Sequence, residues 1–75
     1  MRFIEMTGKT LFDLIHEDEV EPGELAKAGV RDQSLVRVNL HGDIELRKAD
    51  RWDVIGGLLG DFEKRVKRAT GLDWA

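Results

Sequence analysis

Cysteine is absent from this 75-residue chain, so neither a disulfide framework nor a thiolate metal site supplements its core. A chain of this size buries only about 60% of the surface its unfolded form exposes. The expectation is one domain, residues 1–75, held by packing or by self-association. The lack of cysteine also suits a reducing compartment, and a cytoplasmic location is expected. Long apolar runs are missing too. The longest uninterrupted apolar-or-glycine stretch, Val54 to Gly60, falls far short of the ~20 residues needed to span a bilayer. Met1 to Met6 turns polar before the apolar centre of a secretory signal could form. No membrane partner is expected, and there is no internal repeat, low-complexity tract or linker.

Residue types that carry chemistry are scarce. Ser34 is the sole serine, so a nucleophilic triad would have to recruit His16 or His41 from distant segments. Those two histidines, the only ones, show no HxxxH or HxxE spacing that would gather metal ligands on one face. Thr7-Gly8-Lys9-Thr10 resembles the end of a phosphate-binding loop, but the first glycine of that pattern would fall on Phe3. A strand-to-helix turn capped by Thr10 accounts for it more simply. Many carboxylates are present, yet no spacing marks a close or buried pair suited to acid–base work. The chain reads as a non-enzyme, with no catalytic, cofactor-binding or metal-binding residues to assign.

What is present is a folded-domain mixture, 41% hydrophobic and 36% charged, unlike that of a disordered chain. The net charge of −3 hides an asymmetry. Residues 1–33 hold four basic side chains against eight acidic ones, and residues 34–75 hold eight against seven.

Met1 to Met6 reads as a first strand, broken by Thr7-Gly8. Leu11, Leu14 and Ile15 recur at helical spacing, predicting a helix over Leu11 to Glu17, with a turn at the acidic Glu17-Asp18-Glu19. Pro22 suits a first helical position and Gly29 a left-handed end, predicting a short helix over Pro22 to Ala28 with Leu25 inward. Residues 35–40 and 44–47 alternate in period two around His41-Gly42-Asp43, a hairpin signal. A two-residue loop would set charges opposite the apolar face. A three-residue loop would align Leu40 with Ile44 and Val38 with Leu46, whereas five would align Val38 with Ile44 and Arg37 with Glu45. Either odd loop gives an apolar face of Val36, Val38, Leu40, Ile44 and Leu46.

Asp50 can cap, and Gly71 close, a C-terminal helix of about twenty residues, ~30 Å long. Ile55, Leu58, Leu59, Phe62, Val66 and Ala69 would form its apolar stripe. Leu72 and Trp74 follow the closing glycine, where a hydrophobic residue often folds back on the last turn. The predicted fold class is α+β: a sheet of about three strands, the N-terminal strand plus the hairpin, covered by the long helix, with one or two short helices between.

Gly56, Gly57 and Gly60 sit awkwardly in that helix, at about 1 kcal/mol each relative to alanine. Three explanations offset the cost: close approach to the protein's own sheet, close approach to the same helix of a second subunit, or a helix that starts only at Leu58. The leading functional expectation is a protein-interaction module, self-associating as a homodimer around Trp52, Ile55, Gly56, Leu59, Gly60 and Phe62. The alternative is a small nucleic-acid-binding regulator that contacts phosphates through Lys64, Arg65, Lys67 and Arg68, aided by Arg37, Arg47, Lys48 and Arg51 if the helix crosses the hairpin. Pairing of Asp61 with Arg65 and Glu63 with Lys67, together with a pI of about 5.3, weighs against it.

Overall fold

A computed structural model of the chain describes residues 2–15 and 20–74. Strand β1 (Phe3–Thr7) leads directly into helix α1 (Gly8–Leu14), followed by helix α2 (Pro22–Ala28). Three strands come next, β2 (Leu35–Asn39), β3 (Asp43–Arg47) and β4 (Trp52–Gly57), and helix α3 (Phe62–Thr70) ends the sequence of elements. The strands form one antiparallel sheet in the order β1-β2-β3-β4. The α+β expectation holds, with four strands in place of three and a shorter last helix.

The hairpin follows its alternation. Val38 pairs with Ile44 and Arg37 with Glu45, the alignment of the five-residue loop. Asn39 secures that loop, its Oδ1 accepting from the backbone N–H of His41 (2.9 Å) and of Asp43 (3.1 Å). Gly42 sits at φ 87°, and a Cβ there would lie 2.6 Å from the Leu58 carbonyl oxygen, so conformation and space both demand glycine. Val36, Val38, Ile44 and Leu46 are buried as expected, but Leu40, placed on that face by the pattern, is 48% exposed at the turn.

The first helix starts earlier than the sequence suggests. Thr7, not Thr10, is its cap, the Thr7 hydroxyl accepting from the Thr10 N–H at 3.2 Å. Gly8 can be the first helical residue because it lies flush against the neighbouring loop: an added Cβ would collide with the Arg31 carbonyl oxygen. Its N–H donates to the Ser34 carbonyl at 2.8 Å. The helix closes at Leu14, with Ile15 already extended, so it is shorter than the predicted span to Glu17. Glu17, the turn at Glu17-Asp18-Glu19 and His16 lie outside the described residues. Helix α2 runs from Pro22 to Ala28, closed by Gly29, as its proline and glycine require.

The predicted helix from Asp50 divides into β4 and α3. Asp50 caps nothing; it lies in the β3–β4 turn, which a 2.7 Å bond from the Lys48 N–H to the Arg51 carbonyl closes. Trp52, Val54 and Ile55 favour a pleated strand, and Gly56 and Gly57 oppose a helix, so pairing with β3 recovers backbone hydrogen bonds that a glycine-burdened helix would hold poorly. A register shift beside Ile44 and Glu45 leaves Ile55 as an extra residue, a β-bulge. Gly60, at φ 65°, then turns the chain into α3. Of the predicted stripe, Leu58, Phe62 and Val66 are buried, whereas Leu59 is 65% exposed.

All three helices contribute to one core, on the sheet side lined by Ile4, Met6, Val36, Val38, Ile44 and Leu46. Trp74 completes it. Its indole N–H donates to the Val38 carbonyl at 3.0 Å, and its ring meets Phe62 edge-on, centroids 6.2 Å apart. Leu72 stays exposed. No helix among the described residues is long and apolar enough to cross a membrane.

Candidate interaction face

Side chains alternate across a strand, so the residues between those core positions emerge on the other side of the sheet, over which none of the described helices packs. Phe3, Glu5 and Thr7 come from β1, Leu35, Arg37 and Asn39 from β2, Asp43, Glu45 and Arg47 from β3, with Trp52 and Val54 from β4. Arg37 stands at the centre. Its guanidinium carbon lies 3.7 Å from the centroid of the Phe3 ring and 4.1 Å from that of Trp52. A planar cation is thereby held between two aromatic faces, the arrangement their quadrupoles favour. One terminal nitrogen donates to Glu45 Oε1 at 2.9 Å, and the two side chains are only 21% and 12% exposed. Arg47 approaches the Trp52 ring at 5.7 Å. Phe3, Arg37, Trp52 and Arg47, one from each strand, thus form a chain of alternating aromatic–cation contacts.

Around this ladder lie apolar groups in contact with water, Val54 at 62% exposed and Leu35 at 42%. The Arg37 Nε atom is buried with no hydrogen-bond partner. At the centre of the face the Arg37 and Glu45 charges neutralise each other.

The residues expected to form an association surface do not share one. Trp52 is on the uncovered face, but Ile55 packs against the core and Gly56 lies opposite Ile44, facing the helical layer. Leu59 and Gly60 are in the exposed link to α3, and Phe62 is buried beneath Trp74. The helical surface expected there is absent because the segment is half strand and half helix.

The basic cluster is also divided. Arg65 is 10% exposed in its side chain, donating to Asp61 Oδ1 (2.9 Å) and to the carbonyls of Leu14 (2.7 Å) and Leu59 (2.9 Å). It works as an internal clamp between α1 and the start of α3. Lys67 pairs with Asp73 at 3.1 Å, instead of the expected Glu63. Lys64 and Arg68 remain on the exposed side of α3. Arg37 and Arg47 lie on the opposite face of the sheet, and Lys48 reaches the Ala28 carbonyl at 3.4 Å, so the hairpin's basic residues do not join the helix's. Ser34 accepts from the Arg31 N–H as a turn residue, and His41 is exposed at the hairpin turn. Among the described residues no three His, Asp or Glu side chains converge as metal ligands would.

Sequence reasoning missed Phe3, Arg37 and Glu45 as a unit. The signal was partly there: the five-residue loop aligned Arg37 with Glu45, and alternation placed both away from the core. What could not be read was that β1 and β4 bring aromatic rings to either side of them. Comparison with protein-family models, curated proteins and solved structures finds no match to the chain.

Proposed function

We propose that this chain is a non-enzymatic protein-interaction module that receives another protein on the uncovered face of its sheet. The observation that carries the reading is a rigid cation–aromatic ladder, Phe3-Arg37-Trp52-Arg47, flanked by the exposed Val54 and Leu35. Aromatic and arginine side chains dominate the energetics of protein interfaces because they bury large area at modest entropic cost. Here that entropy is already spent by stacking. The nucleic-acid alternative retains Lys64 and Arg68 as exposed cations on α3, which is little for a phosphate-tracking surface. The reading places the module in the cytoplasm.

Site-specific photo-crosslinking in living cells tests it. A crosslinking residue at position 54 should yield discrete adducts that disappear when Leu35→Asp is added, and the same residue at position 27 on α2 should yield none. Equal labelling from both positions, or adducts indifferent to Leu35→Asp, would reject this face as the docking surface.

A further inference from the structure

The sheet has two edges, and they are not equivalent. On β4 the ladder is interrupted by the bulge at Ile55, the strand ends in Gly56-Gly57, and α2 packs beside it. Bulges of this kind twist an edge strand away from further pairing. β1 has a neighbouring helix too, α1, but neither a bulge nor glycine. Its five residues pair with β2 without any shift, and Phe3–Thr7 contains no proline, lysine or glycine.

The Gly8 N–H donates to Ser34 at the end of the β1–β2 ladder, and antiparallel pairing alternates from there. Ile4 and Met6 therefore exchange hydrogen bonds with β2, while Phe3 and Glu5 direct their N–H and C=O groups outward and Thr7, the cap of α1, its N–H. Among the described residues, no turn, loop or cap hydrogen bond involves the backbone of Phe3 or Glu5.

We infer that two copies of this chain pair through β1, antiparallel about a two-fold axis normal to the sheet, to make one continuous eight-stranded sheet. A two-fold antiparallel edge is self-complementary, since each outward N–H meets an outward C=O. The charge on the strand restricts the register. Glu5 is its only charged residue, so centring on Glu5 would oppose two carboxylates. Centring on Ile4 sets Phe3 of one copy beside Glu5 of the other and leaves no like charges opposed.

Such a dimer keeps both helical layers on one side and makes the two uncovered faces contiguous. One face alone, four strands ~4.8 Å apart and about 17 Å long, covers roughly 320 Å². A standard interface needs about 800 Å² from each partner. Joining two faces brings the platform to roughly 640 Å² before its rim is counted. The inference goes beyond the docking proposal and concerns a different surface, so either can fail alone.

Sedimentation velocity from low micromolar to near-millimolar protein, with amide hydrogen exchange at both ends of that range, decides it. Dimer mass should appear with concentration, and exchange at Phe3, Glu5 and Thr7 should slow on the order of tenfold or more, while Asp53 to Gly57 stays unchanged. Glu5→Pro removes an outward donor from each copy without touching the β2 ladder, and should weaken dimerisation by roughly tenfold or more. Val54→Asp, on the docking face, should leave the dimer intact. A monomer at the highest concentration, or protection at β4 instead of β1, overturns the inference. The exchange result stands on the native chain even if the proline variant fails to fold.

Discussion

Replacing Arg37 with alanine tests whether the ladder is an energetic unit or a surface ornament. The substitution removes two cation–aromatic contacts, at 3.7 and 4.1 Å, and one charge-assisted hydrogen bond of 2.9 Å. Cation–aromatic contacts are worth about 0.5–1 kcal/mol when exposed and ~2 when desolvated. A hydrogen bond to a charged group adds about 1.5–3 kcal/mol. Glu45, with its side chain only 12% exposed, is also left without its cation. These contributions overlap, because all depend on one guanidinium in one position. The arginine keeps a fifth of its surface in water, which screens the ion pair. The net cost should be about 3 kcal/mol.

Urea unfolding followed by far-UV circular dichroism measures it. With a slope of ~1 kcal/mol per molar for a chain this small, the midpoint should fall by 2–3 M. Arg37→Lys keeps the charge and loses the planar stack, so it should fall by about half as much. A cost for Arg37→Ala below ~0.5 kcal/mol, the level of an ordinary surface substitution, would refute the reasoning. So would equal behaviour of the lysine variant and the native chain.

Two glycines should respond in opposite senses to alanine. Gly8→Ala forces a Cβ into the Arg31 carbonyl and should cost about 3 kcal/mol, the upper end of overpacking effects. Gly23→Ala in α2 meets nothing within 4 Å and should raise stability by ~0.5–1 kcal/mol. Thermal melts of the two variants side by side give the comparison, and equal shifts would contradict the close approach at Gly8. Trp74→Phe should cost on the order of 1 kcal/mol by removing the hydrogen bond to Val38. Trp74→Ala should cost ~3–5 kcal/mol through the cavity left in the core. Denaturant titration separates the two, and a Trp74→Ala variant as stable as the native chain would show that the indole is not part of the packed interior.

The elements legible in the sequence are those whose determinants are local. Pro22 and Gly29 bracket α2 within eight positions, and alternation with a polar turn defines β2 and β3. The β4–α3 segment was misread because Asp50, Gly71 and apolar residues at 55, 58, 59, 62 and 66 satisfy a helical template. What overrides that template is non-local pairing with β3. The glycines are the warning, and a helix starting only at Leu58 comes nearest to the observed start at Phe62. The aromatic–cation cluster is illegible for a related reason. Phe3, Arg37 and Trp52 are far apart in the chain and meet only through the order β1-β2-β3-β4, which no spacing encodes.

The two tryptophans, the only ones in a chain without tyrosine, occupy opposite layers. Trp74 is sealed at 3% exposure, while Trp52 stacks on a guanidinium in partial contact with water. Nature has thereby installed two fluorophores with separate duties. In a Trp52→Phe protein the remaining emission tracks global unfolding, and in a Trp74→Phe protein it reports on the open side of the sheet, so the two layers can be followed separately without attaching any dye.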